Sequence, residues 1–105
     1  LFLITDAVAP CAKGIYRHVL NVDHYVLPNG TLSGSALTML GAVKNAVEKV
    51  GIALDEALRM ATVYPADLIG RSDLGRLEQD AVANVIVFND HYQLEHVFHE
   101  GIAVQ

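Results

Sequence analysis

The sequence of 105 residues contains a single cysteine, Cys11. One thiol excludes a disulfide within the chain and excludes a cysteine-rich metal site. It fits a reducing cytoplasm, where thiols stay free. Long apolar runs are also missing: none approaches the roughly 20 residues that a membrane-spanning helix needs, and no secretory leader is evident. Basic residues are few. Seven Lys and Arg stand against twelve Asp and Glu, a formal net charge of −5, and they form no cluster. Nucleic acid is bound through concentrated positive charge, so it is not an expected partner, whereas a small anion can still be held by local dipoles. The sequence has no internal repeat and no initiating Met. It opens inside an apolar run, which reads as a cut within a longer chain.

What is present is the composition of a soluble globular protein, 52% hydrophobic and 18% charged. The length allows one small domain at most, able to bury roughly 60–70% of its unfolded surface. The apolar share is high for so short a chain and points to surface meant for another segment or another copy.

The first five residues, Leu-Phe-Leu-Ile-Thr, form a continuous apolar run closed by a polar residue, the pattern of a strand buried on both faces in a parallel sheet. A loop with Pro10 and Gly14 comes next. Residues 15–27 are rich in β-branched and aromatic residues and predict one or two strands, with a turn at Asn21 to Asp23. Pro28 to Gly30 is a turn. An amphipathic helix is expected after it, capped by Ser33 or Ser35 and stopped at Gly51. Ala36, Leu40, Val43, Val47 and Val50 make its apolar stripe, opposite Lys44, Asn45, Glu48 and Lys49. Leu54, Ala57, Leu58 and Ala61 mark a second helix, and Pro65 predicts a break before a short third one. Strands are expected at Asn84–Phe88 and, once or twice, around Gly101.

Asp6 is the first candidate for chemistry. In α/β folds with parallel strands, ligands bind at the strands' carboxyl ends. A carboxylate there can accept a proton from water and pass it to a leaving group, although a turn former or cap would also explain an acid at this position. The segment from Asn29 to Met39 is second, because Gly30 and Gly34 allow close backbone approach before a helix start with free N–H groups. An ordinary capped helix explains it equally. His91, His96 and His99 invite a metal reading, but side chains alternate along a strand, so His96 and His99 would face opposite sides. They read as surface residues. Cys11 has no evident activating base.

Together these pieces resemble the C-terminal part of the N-acetylglucosamine-6-phosphate deacetylase family, in the amidohydrolase superfamily. LITDAVAP is similar to that family's Thr-Asp-Ala-x-Ala-Pro segment at the end of the eighth barrel strand. GTLSGSALTM is similar to its Gly-Thr-Leu-(Ser/Ala)-Gly-Ser segment opening the next helix. ALDEALRMATVYPADLIG looks like a pattern shared across amidohydrolases, and LGRL with the later ANVIVF resembles the returning strands of a small β domain. The resemblance implies an α/β fold: residues 1–72 as the C-terminal portion of a (β/α)8 TIM barrel, and residues 73–105 as strands of a small β-sandwich domain. It implies a metal-dependent hydrolase that converts N-acetylglucosamine 6-phosphate to glucosamine 6-phosphate and acetate. The catalytic carboxylate would be Asp6, and Leu32, Ser33 and Gly34 would give backbone-level contacts to the sugar phosphate. A divalent metal, Zn or similar, would make the attacking water acidic and polarise the amide carbonyl.

Departures from the family accompany the matches. The family's metal ligands, a Glu and two His, and its phosphate-binding residues lie upstream and have no counterpart here. A barrel needs roughly 200–250 residues. The stretch between Pro10 and Asn29 looks shorter than the family's, and Asp80 stands where the family has a turn glycine. The resulting expectation is a cytoplasmic enzyme fragment with no metal of its own. It should be inactive alone and self-associating as a homo-oligomer, with no nucleic-acid or membrane partner. A standalone α/β interaction or regulatory module derived from an amidohydrolase is the alternative.

Overall fold

The amphipathic stretch after residue 36 takes its start from the nearest side chain able to cap it. A computed structural model describes residues 1–7, 19–21, 24–26 and 32–105, with the backbone alone for the three short strands among them. In it, helix α1 covers Met39–Asn45. Thr38 Oγ1 accepts the Gly41 N–H at 3.0 Å, satisfying one donor left open at the helix start. Ser33 and Ser35, the expected caps, lie instead in a strand, Leu32–Ser35. A π-helical turn, Ala46–Val50, continues α1 and stops at Gly51 as the sequence predicted. Gly51 sits at φ 84° with its N–H bonded to the Ala46 carbonyl, a left-handed cap that favours glycine. The wide turn rotates the apolar stripe, since π geometry advances fewer degrees per residue than α. Ala42, Val43 and Ala46 are buried, while Val50, expected on the stripe, is 71% exposed.

The described chain forms two compact units, Ile4–Ala42 and Leu1–Leu3 with Val43–Gln105. The first holds an antiparallel sheet of β1 (Val19–Asn21), β2 (His24–Val26) and β3 (Leu32–Ser35), in that spatial order. Asn21 pairs with His24, so the chain reverses where the sequence predicted. A bulge interrupts the β2–β3 register between Tyr25 and Val26.

The second unit is built on α2 (Leu54–Ala61) and α3 (Val63–Leu68). Val43, Ala46 and Ala57 form its core, flanked by Leu3, Val47, Ile52, Leu58, Ala61 and Tyr92. Ala57 is fully buried and Met60 nearly so. Each buried methyl contributes on the order of 0.8 kcal/mol. Pro65 does not precede the third helix but lies inside its first turn. Its missing N–H is tolerated there, because first-turn donors have no intrahelical partner anyway. The break falls at Thr62 (φ −130°, ψ −79°), whose hydroxyl donates to the Leu58 carbonyl at 2.6 Å.

A second antiparallel sheet has the order β4 (Val85–Phe88), β5 (Leu94–His99), β6 (Ile102–Ala103). The expected strands are therefore present. Phe88 and Tyr92 stack across the β4–β5 connection with ring centroids 5.8 Å apart. Asp80 adopts φ 68°, the left-handed geometry suited to the glycine that the resemblance expects there.

Residues 1–5 were expected to be a strand and are not one; Ala7 alone makes an isolated bridge. The Leu3 N–H donates to the Met60 carbonyl at 2.9 Å. A parallel strand forms only beside parallel neighbours, and among the described residues every strand pairing is antiparallel.

Gly75 closes the polar connector against the α2–α3 joint. It has φ 74°, and a Cβ built there would stand 2.5 Å from the Thr62 carbonyl oxygen and 2.6 Å from its carbon. Backbone atoms cannot rotate aside as a side chain would. Gly75→Ala should therefore destabilise this unit by about 2 kcal/mol or more, combining left-handed strain with the clash. Urea unfolding measures it, and an unchanged midpoint would contradict the packing described.

Candidate functional site

Asp6 and the Leu32–Gly34 segment belong to the same compact unit. Asp6 is exposed and has φ 52°, a conformation that crowds any residue bearing a Cβ. Non-glycine outliers of this kind concentrate at functional sites, where surrounding structure holds them. Beside it, Thr5 Oγ1 accepts the Ala7 N–H at 3.2 Å, so a side-chain turn closes across Asp6. In the sequence Thr5 closes the apolar run and opens the Thr-Asp-Ala match, with no role of its own. A Thr two residues before a free N–H is the signal that could have found it.

Leu32, Ser33 and Gly34 lie in β3, not in a loop opening a helix. Gly34 pairs with Tyr25 and Leu32 with Val26. Among the described residues β3 is an outer strand of its sheet, and no described strand pairs with its far side; such an edge presents backbone N–H and C=O groups. The helix-dipole reading of this segment weakens accordingly, since α1 starts at Met39 with Thr38 as its cap. Cys11 and the turn at Pro28 to Gly30 lie outside the described residues.

His91, His96 and His99 are all exposed. His96 faces Phe98 at 6.5 Å between ring centroids, which puts His99 on the other face of β5 by alternation. Among the described residues, no three His, Cys, Asp or Glu side chains gather as metal ligands. The described residues do not by themselves make a set of ligands for a divalent metal.

Interacting charges gather elsewhere, on α2 and the connector. Arg59 bridges Asp55 at 3.2 Å and Glu56 at 2.9 Å, while the Tyr64 hydroxyl donates to Glu56. The Arg59 hydrogen bond lowers the Asp55 pKa below the usual carboxylate range. Hydrogen bonds from Tyr64 and then Arg59 do the same to Glu56. Bonding to Glu56 raises Tyr64. Arg71 grips Asp73 with two parallel bonds of 2.9 Å, lowering that carboxyl as well. Arg76 pairs with Asp67. The Arg59 pairs lie within α2 and the Arg71 pair within the connector, while Arg76 ties the connector to α3; Asp6 is in none of these pairs.

Comparison with known proteins gives this arrangement a context. The sequence pattern of the amidohydrolase family matches residues 1–102. An N-acetylglucosamine-6-phosphate deacetylase of Haemophilus influenzae is 48% identical over 67 residues, covering 63% of this chain and 18% of that protein. An N-acetylgalactosamine-6-phosphate deacetylase of Escherichia coli O157:H7 is 28% identical over 109 residues, covering 96% of this chain and 29% of that protein. The crystal structure of N-acetylglucosamine-6-phosphate deacetylase from Pasteurella multocida superposes with a TM-score of 0.85 at 35% identity, over 97% of this chain and 29% of that one. The chain thus spans less than a third of the length of each of these proteins.

Acid should weaken the α2–α3 unit. Asp55, Glu56 and Asp73 have folded pKa values below their unfolded ones. Their contribution is therefore complete above the unfolded values near about 4 and is lost as pH falls through the depressed folded values. Tyr64 runs the other way: raised in the folded state, it contributes below about 10 and loses that contribution as pH rises through its folded value. The groups are exposed, so each effect is small. Thermal unfolding should show Tm falling below about pH 4, with a shallower fall in Glu56→Gln. An identical profile in that variant would remove Glu56 from the account.

Proposed function

Because the chain belongs to the amidohydrolase family, we propose that it is the C-terminal part of a hydrolase that deacetylates an N-acetylated amino-sugar 6-phosphate. N-acetylglucosamine 6-phosphate is the favoured substrate, since the Haemophilus influenzae and Pasteurella multocida proteins named for it are more similar in sequence than the Escherichia coli N-acetylgalactosamine-6-phosphate deacetylase. Residues 1–72 would complete its barrel and residues 73–105 its small β domain. The observation that carries the reading is Asp6 held at φ 52° within a family match that spans the candidate segments.

In this reading Asp6 handles protons. Its carboxylate accepts a proton as water attacks the acetamide carbonyl. It returns that proton to the amine nitrogen as the C–N bond breaks, releasing acetate and the free amino sugar phosphate. The outer edge of β3 at Leu32, Ser33 and Gly34 would hold the substrate through backbone groups, which suits a sugar phosphate rich in donors and acceptors. When bound, a divalent metal would polarise the carbonyl and acidify the water; its ligands would come from residues beyond the described set. Among the described residues no helix is long and apolar enough to cross a membrane, and the single cysteine supports a cytoplasmic setting.

Self-association belongs to the same proposal. In β4, Ile86 is 47% and Val87 41% exposed although they point to opposite faces, and β4 is an outer strand. An uncharged outer strand is a template for pairing. Light scattering across dilution should give a mass above the 11.4 kDa of one chain, and a monomer at every concentration would count against it.

Two measurements test the activity. The purified 105-residue chain, supplied with zinc and N-acetylglucosamine 6-phosphate, should release no acetate; turnover would overturn the need for further residues. In the complete deacetylase carrying this segment, Asp6→Asn should lower kcat by roughly 10²–10⁴-fold, the range of a lost general acid–base, with KM little changed. Full activity in that variant would end the assignment.

A further inference from the structure

A carboxylate that shuttles protons must be aimed, and Asp6 is aimed from an unusual backbone. With φ at 52°, its Cβ leaves the chain in a direction that no right-handed or extended conformation provides. Aspartate enters this region more readily than most residues but still prefers negative φ, so a local hydrogen bond can decide the choice. The Thr5 hydroxyl is placed to do so: it accepts the Ala7 N–H at 3.2 Å, closing a ring that contains the whole Asp6 backbone. With the Thr5 side chain as it stands, rotating Asp6 alone to a negative φ would carry the Ala7 N–H away from the hydroxyl.

We propose that Thr5 is a positioning residue for Asp6, its hydroxyl fixing the left-handed backbone and so the direction of the carboxylate. The inference rests on the assignment of Asp6 to proton transfer. It assigns the hydroxyl, not the shape of the side chain, as the working part of Thr5. Valine has the same outline without an oxygen to accept the bond, whereas serine keeps the oxygen and loses a methyl.

The test is made in the complete deacetylase with Thr5→Val, Thr5→Ser, Asp6→Asn and the Thr5→Val/Asp6→Asn double variant, measuring kcat and KM for acetate release. Thr5→Val should lower kcat by roughly 10–100-fold, the cost of misplacing a reacting group, with KM unchanged, and Thr5→Ser should retain most of the activity. The double variant should be no slower than Asp6→Asn, because Thr5 acts only through Asp6. In the 105-residue chain, the amide-to-Hα coupling of Asp6 should move toward a negative-φ value in Thr5→Val and not in Thr5→Ser. An unchanged kcat in Thr5→Val, equal loss in the two Thr5 variants, or a full additional loss in the double variant would overturn the proposal. An active Asp6→Asn enzyme would overturn the parent assignment and this inference with it. An active Thr5→Val enzyme beside an inactive Asp6→Asn one would overturn this inference alone.

Discussion

Close approach at Ala57 is the constraint on which residues 43–105 depend. A side chain of one methyl, with no exposed surface, lets α2 lie against Val43 and Ala46 of the preceding helical run. Small residues bring little hydrophobic area each, so the gain comes from fit. That contact places the segments around it. The C-terminal end of α2 presents the Met60 carbonyl to Leu3, and the joint at Thr62 leaves a gap that only a residue without Cβ, Gly75, can enter. A larger residue at position 57 would separate the helices, and the Thr62–Gly75 approach would lose its geometry.

The features legible in the sequence are those set by local chemistry. Gly51 stops the helical run because the left-handed cap suits glycine, and the code for α2, β4, β5 and the chain reversal near Asn21 is similarly local. Three readings went astray where the outcome depends on context. Any of several hydroxyls could cap α1, and Thr38 does so because Leu32–Ser35 is taken into a sheet. Pro65 sits inside α3 because the break could be absorbed one turn earlier, at Thr62. Residues 1–5 have the composition of a doubly buried strand, yet composition cannot supply the parallel neighbours that such a strand requires. Of the candidate site, the acid at Asp6 was visible in the sequence, but its reversed backbone and the Thr5 bond across it were not. Both are facts of φ and hydrogen-bond geometry that no residue pattern states.

The charged groups show why a carboxylate has to be read through its surroundings. Asp55, Glu56 and Asp73 each have an arginine within bonding distance, and each is held in its ionised form. A carboxylate so stabilised is a poor carrier of protons near neutrality, because its basicity is too low to draw a proton from water. Asp55 and Glu56 brace α2 and its junction with α3, and Asp73 braces the connector, each weakly because water competes at the surface. Asp6 has a different signature, which lies in its backbone: a left-handed φ at a residue that takes no part in the α2 and connector charges. Asp80, Tyr92 and Glu100 share that conformation, so what sets Asp6 apart is the Thr5 hydroxyl bonded across it.

That contrast bears on how the chain's parts relate to the whole family pattern. A barrel strand delivers its carboxyl-end residue to a site only when neighbouring strands fix its direction. Among the described residues the run from Leu1 to Ile4 has no such neighbours in a ladder; its described tie is the Leu3–Met60 bond. The local turn at Thr5, however, is made without a sheet, because both donor and acceptor lie within three consecutive residues. Part of the geometry at Asp6 is therefore encoded next to it, in the order Thr-Asp-Ala, and part must come from packing over longer distances. The first part does not require the second, because the Thr5–Ala7 bond spans only the residue between them.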